Sequence, residues 1–359
     1  MMNTKTHSLE NMPPQPQLEG HTTLPLGGES QLLLEHRALR RNAILLAMLA
    51  LSSIAFLGMG SMVLSPLQVI QALLGQGSEL NQFIIQHLRL ERLLAAIFTG
   101  AAFSLAGCLM QTLARNRLAT PGIIGIDNAA MAFAVSSIVS TGISLAPSAM
   151  ALAGAATATA LAFGLAGSSG TRGYRFIVAG IGIGAIAGAL TQLMLSQVDI
   201  DTANAAYPWT VGSLSARSSS MVYALGIGLL ISLIACLIWA RRFALLPFSD
   251  QVITGLGEQI KKIRVAALSL SVLLTGLAVA VAGPVGLVAL VGPELARAMS
   301  GYRGIPLIGS AIAGAFIMVV ADLVGRTLLS PIELPVGIVT SIVGAPYLIW
   351  ILVRRSPRN

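Results

Sequence analysis

The chain has 359 residues, 55% of them hydrophobic and 10% charged, with a mean hydropathy of +0.81, a formal charge of +8 and a pI near 10.2. This composition excludes a water-soluble globule around one core and points to a polytopic membrane protein. The basic excess fits membrane topology and anionic headgroups, so membrane lipids are expected partners and nucleic acid is not.

The first thirty-five residues are rich in Pro, Gln, Thr and Gly without an apolar period, and residues 1–42 are expected to form a disordered cytoplasmic tail. The first apolar stretch starts only near Ala43, and no small-residue cleavage site follows a short apolar core. The tail therefore reads as leading into a retained anchor, not a cleaved signal.

A transmembrane domain is expected over residues 43–355, with 356–359 as a cytoplasmic end. Its apolar runs read as spans at Ala43–Val63, Leu93–Leu113, Gly122–Ile143, Ala146–Gly167, Phe176–Leu195, Met221–Ala240, Val265–Ala282, Val285–Met299, Ile305–Gly325 and Val336–Val353. At about 20 residues per crossing the fold class is all-α with about ten membrane helices. The eighth is short and follows Gly283-Pro284, which suggests a broken or re-entrant segment.

Of the 22 Lys and Arg, all but Arg89, Arg92, Arg217 and Arg326 fall on one side if the tail is inside. That bias predicts both termini in the cytoplasm and an even number of spans. Cys108 and Cys236 lie within spans without a second ligand at metal spacing, and read as small packing residues; no metal and no cofactor is expected.

Small residues recur every fourth position at Ala96, Gly100, Ser104 and Cys108, and at Gly180, Gly184 and Gly188. Such ridges let helices approach closely in lipid; static packing is the first reading, a movable pathway the second. Polar groups within the apolar region are Asp127, Asn128, Glu294, Arg297 and Asp322. The spacings Glu294 to Arg297 and Asp322 to Arg326 suit pairs within one helix. Arg326, Pro331, Glu333 and Pro335 form a short hairpin between the last two spans, a contact or hinge surface.

The polar loop around Ser168, Ser169 and Gly170 has no His or Lys beside it to activate a serine, and no phosphate-cradling Gly-Lys-Ser/Thr loop occurs. The chain is not expected to be an enzyme; energy from ATP would come from a partner subunit. The longest internal polar break, Arg241 to Arg264, suits two short helices broken at Gly255 and Gly257, with Ser249 as a cap. Apolar residues interleaved with charge there could lie in the groove of a soluble partner.

Taken together, the string Leu88-Arg-Leu-Glu-Arg92, then Gly100-Ala-Ala, Met110-Gln111, Arg115-Asn116-Arg-Leu-Ala119, Pro121-Gly122 and Gly125 resembles the opening signature of FecCD-type permeases. The run Ala321-Asp322-Leu-Val-Gly-Arg326, Glu333-Leu-Pro-Val-Gly337 and Gly344-Ala-Pro346 resembles their closing signature, and the likeness extends from about Ser65 to Arg355.

The resemblance implies a permease subunit of a binding-protein-dependent ABC importer in a bacterial inner membrane. Ferric siderophore is the favoured cargo, with cobalamin or haem second. It implies as partners two cytoplasmic ATPase subunits, a second permease that is a paralogue or a copy, and a periplasmic or lipid-anchored substrate-binding protein. By the same likeness Arg89, Arg92 and Arg326 would dock the binding protein. Leu246, Pro247, Asp250, Gly255, Leu256 and Gly257 would couple to the ATPase, and Ser168, Ser169, Gly173 and Tyr174 would form a cytoplasmic gate, with the fifth and tenth spans lining the pathway. Two departures stand out: Ser249 where relatives carry Gly, and Glu294 where they often carry His. A proton-coupled secondary transporter using Asp127 and Glu294 is the alternative from another class.

Overall fold

The computed structural model describes residues 21–25, 31–60, 62–140, 145–166, 174–215, 217–300 and 304–354. A two-stranded antiparallel ribbon, β1 (His21–Pro25) and β2 (Gln31–Glu35), precedes the helices. This ribbon, and the start of the first helix at His36, occupy part of the stretch expected to lack order; no periodic apolar pattern marked them.

The long helices that follow are α1 (His36–Gly58), α4 (Leu90–Ala114), α5 (Ile126–Val139), α6 (Pro147–Ala166), α7 (Tyr174–Ser196), α9 (Ser219–Ile238), α12 (Ile260–Ala282), α13 (Gly286–Ser300), α14 (Leu307–Thr327) and α15 (Val336–Arg354). Each overlaps one expected span. Among the described residues, seven helical segments are long and apolar enough to cross a bilayer; α5 and α15 are shorter apolar helices, and α13 has 15 residues with Pro293 inside. The fold class is all-helical and polytopic.

Short helices lie between these. At the end bearing Arg89, the outer end by charge bias, are α2 (Pro66–Leu73), α3 (Glu79–Phe83), a π-helix over Ile84–Arg89 that runs into α4, and α8 (Ile200–Val211). At the other end are α10 (Ala240–Phe243) and α11 (Asp250–Gly255). α2 starts at a full capping box. Ser65 Oγ accepts from the Gln68 N–H, Gln68 Oε1 accepts from the Ser65 N–H, and Pro66 fills the first helical position.

The core is built around α4, which packs against α14, α12, α13 and α9, while α5, α6 and α7 form a neighbouring group. Both ridges of small residues lie at these contacts. A methyl on Gly100 would strike the Gly314 carbonyl, and one on Gly107 the Ala289 carbonyl. Ser104 Oγ donates to the Ser310 carbonyl at 2.6 Å. Gly180 and Gly184 of α7 receive the turn Pro121–Ile124 and Gly125, and Asn128 Nδ2 donates to the Gly184 carbonyl at 2.9 Å. Close backbone packing in lipid is what such residues favour.

Near the outer end, α8, the α12–α13 link and α15 meet at one junction. Ser213 N–H donates to the Ala282 carbonyl at 2.7 Å, and Gly337 N–H to the Gly212 carbonyl at 3.1 Å. Gly212 has φ +81°, and a side chain there would press on Pro284. Only glycine meets both demands without strain.

Candidate functional site

Two polar assemblies occupy opposite ends of the helix bundle. The outer one starts from the π-helix, whose last residue is Arg89. Arg89 is 5% exposed; Nη1 donates to the Leu57 carbonyl at 2.6 Å and Nη2 to the Met62 carbonyl. It thus satisfies carbonyls at and beyond the end of α1, where helix geometry leaves acceptors without partners. Arg92, one turn along α4, grips Asp322 of α14 with Nε at 2.9 Å and Nη2 at 3.0 Å, and reaches Glu333 with Nη1 at 2.9 Å. Arg326 Nε lies 3.4 Å from Asp322, its guanidinium covers the Phe56 ring at 4.0 Å, and Nη2 donates to the Phe56 carbonyl.

The three arginines therefore meet, as their shared position outside the charge bias implies, but they are not free surface cations. Asp322 pairs with Arg326 at the expected helical spacing, yet its stronger, two-pronged partner is Arg92 on another helix. The guanidinium groups face a recess of about 330 Å³ shared with Gly60, Pro331 and Glu333. Leu88 lines it, and Leu328, Leu329 and Ile332 flank its Ser330 and Pro331 in sequence; all four are exposed, an apolar rim that sequence reading passed over because single exposed apolar residues carry no pattern.

Glu333 is the most exposed member, its side chain 49% accessible. Partial burial works against its charge, but the hydrogen bond and charge of Arg92, with Arg326 and Ser215 behind them, prevail and hold its carboxyl below the usual range. Ser215 Oγ donates to it at 3.3 Å. The fourth outer arginine, Arg217, stacks on Trp209 at 4.0 Å and donates to the Ser213 carbonyl. Burial lowers its pKa to about 10, which leaves it charged at neutral pH.

The inner assembly is the segment between α9 and α12. Phe243, Leu246 and Ile253 are fully buried and fix it to the bundle, while Phe248, Val252 and Leu256 are 53%, 47% and 61% exposed. Leu246 is thus held inside the bundle rather than presented at its surface, unlike Leu256. Ser249 has the backbone conformation of an N-cap for α11 but makes no side-chain cap bond. Asp250 is held instead by Arg264, at 2.6 Å and 2.7 Å, with Arg115 at 3.5 Å. Gly257 has φ +77° and turns the chain toward α12; a methyl added to it or to Gly255 would meet no atom within 4 Å.

Arg297 pairs with Glu294 at 3.0 Å as the spacing predicts, and also binds Gln111 Oε1. Of the expected gate, Ser168, Ser169 and Gly173 lie outside the described residues, and Tyr174 opens α7.

The FecCD transport family model matches residues 45–354, almost the whole helical bundle. The chain belongs to the FecCD transport family. It is 35% identical over 307 residues to the achromobactin transport system permease protein of Dickeya dadantii, covering 84% of this chain and 88% of that one. Identity with the iron(3+)-hydroxamate import system permease protein of Bacillus subtilis is 34% over 312 residues, with 84% and 92% covered. A solved metal-chelate type ABC transporter in an inward-facing conformation superposes with a TM-score of 0.76 at 25% identity, covering 89% of this chain and 99% of that one. This FecCD member is a multi-pass transport-system permease.

Proposed function

We propose that this FecCD permease carries ferric siderophores inward through an ABC importer of a bacterial inner membrane, with ATP hydrolysed by partner subunits. The observation that supports it most is the pairing of two surfaces at opposite ends of one bundle. Outside is an arginine-lined recess with an apolar rim; inside is a short helical segment with an exposed apolar row at Phe248, Val252 and Leu256. A secondary transporter has no use for the second surface. Relatives named for achromobactin and iron-hydroxamate support the cargo class.

In this reading an acidic side chain of the binding protein enters the recess and competes with half-exposed Glu333 for Arg92. Arg89 and Arg326 supply field and shape rather than direct grip. ATP-driven closure of the ATPases moves the α10–α11 segment, and α7 and α15 rearrange around the pathway to alternate access. A second permease, a paralogue or a copy, completes that pathway.

Vesicle uptake with purified partners tests this. Phe248→Asp together with Leu256→Asp, both at exposed positions, is expected to abolish ATP-dependent uptake of ferric siderophore while the chain stays folded. Uptake that continues without ATPase subunits and collapses with an uncoupler would replace this reading with proton coupling.

A further inference from the structure

The inner end holds a second basic recess, behind the α10–α11 segment. It has a volume of about 300 Å³ and lies between the end of α4, the α10–α11 segment, α13 and the entry to α14. Arg115, Arg117 and Arg297 line it, with Gln111 and Asn116 beside them and Ile305 and Pro306 on an apolar wall.

Among the described residues, its lining holds three arginines and no carboxylate. Glu294, buried outside that lining, is bound by Arg297 at 3.0 Å and lies 3.8 Å from Arg117. Arg115 donates through Nε to the Leu246 carbonyl at 2.8 Å and its Nη2 lies 3.5 Å from Asp250, which Arg264 holds more closely, at 2.6 Å. Three guanidinium groups thus share two carboxylates that lie outside the lining, and Asp250 is also bound by Arg264. Arg117 has a side chain 57% exposed and stands 3.8 Å from Glu294, beyond hydrogen-bond distance, so its donors can turn to a ligand without breaking a hydrogen bond.

We infer that this recess binds a phosphate ester, its phosphoryl oxygens on Arg115 and Arg117 and its organic part against Ile305 and Pro306. Planar forked donors suit phosphoryl oxygens, and a basic pocket between helices at the inner leaflet suits an anionic headgroup. The volume exceeds the roughly 30 Å³ of one water several times over, which leaves room for phosphate and the glycerol beyond it. Because Pro247 and Ala244 also line the recess, an occupant would brace the α10–α11 segment from behind. Binding itself does not depend on the proposed cargo.

The test uses the full-length chain in lipid nanodiscs. With phosphatidylglycerol mixed into phosphatidylcholine, native mass spectrometry is expected to find one phosphatidylglycerol retained per chain. Arg117→Gln should weaken retention roughly tenfold, as expected for a lost charged hydrogen bond. Ala244→Phe, which fills the recess without changing charge, should weaken it as well, while Arg241→Gln should not.

In discs of phosphatidylcholine alone, inorganic phosphate is the probe. A saturable thermal shift lost in Arg117→Gln, without retained phosphatidylglycerol, would assign the same site to a soluble phosphate compound. Equal behaviour of wild type, Arg117→Gln and Ala244→Phe toward both probes would overturn the inference, as would an equal loss in Arg241→Gln, which would mean diffuse surface charge.

Discussion

Arg92 of α4 holds Asp322 of α14 through two nitrogens at 2.9 and 3.0 Å, across 230 residues of sequence, with Asp322 almost fully buried. The pair fixes the outer ends of two helices that also touch at Gly100 and Gly314. It also turns Arg92 toward the recess, so one side chain serves the fold and the surface.

Removing one partner leaves an uncompensated charge where burial makes charge costly. Asp322→Ala is therefore expected to destabilise by about 3–5 kcal/mol, and Arg92→Met together with Asp322→Leu to recover most of the loss. Thermal unfolding in detergent, with monodispersity on size exclusion, checks this. A double variant no better than Asp322→Ala would mean that the pair is not acting as a unit.

At the inner end, Leu246 and Leu256 separate two roles that sequence reading merged. Leu246→Ala should lower stability by about 2–5 kcal/mol, because it leaves a cavity in a packed anchor. Leu256→Ser and Phe248→Ser should leave unfolding almost unchanged and each weaken association with the ATPase roughly tenfold, the effect of about 1.4 kcal/mol at an interface. Co-purification with titrated ATPase separates the two outcomes.

Hydropathy made the spans legible, since lipid imposes a length and a composition on each, and the charge bias singled out the arginines that gather at one end. Local spacing found Glu294–Arg297 and half of the Asp322 cluster. It could not find Arg92 as the main partner of Asp322, because a contact between helices so distant in sequence has no period. The Ser65-Pro66-x-Gln68 cap of α2 was readable, but the hydropathy window sought longer elements. For the loop between α9 and α12 its place between two spans was legible and its sidedness was not: which of Leu246, Phe248 and Leu256 points inward depends on how the loop folds back on the bundle.

Glu333 gives the outer recess a pH signature. Its folded pKa lies below the ordinary 4.5, so its contact with Arg92 contributes fully above that value and is lost as pH falls through the lowered one. Because the side chain is half exposed, the contribution is expected to stay within about 1 kcal/mol. The difference in melting temperature between wild type and Glu333→Gln should be constant above about pH 5 and shrink in more acidic buffer. A difference that grows with acidity would contradict the sign.

The α4–α14 crossing offers a test of rigidity. Gly100 and Gly314 face each other so closely that either side chain would meet the other's carbonyl, and Ser104 packs in the same layer. Gly314→Val should force the helices apart, break the Ser104 to Ser310 bond and cost about 1–3 kcal/mol or more. Gly164→Val on α6, where nothing lies within 4 Å of the added carbon, should be close to neutral and serves as control. Because the Arg92–Asp322 grip sits on the same two helices, Gly314→Val should also reduce the further loss caused by Asp322→Ala, a non-additivity that a double-mutant cycle reads directly. Additive losses would mean that the crossing and the outer pair are independent, and that the bundle does not link the recess to its core.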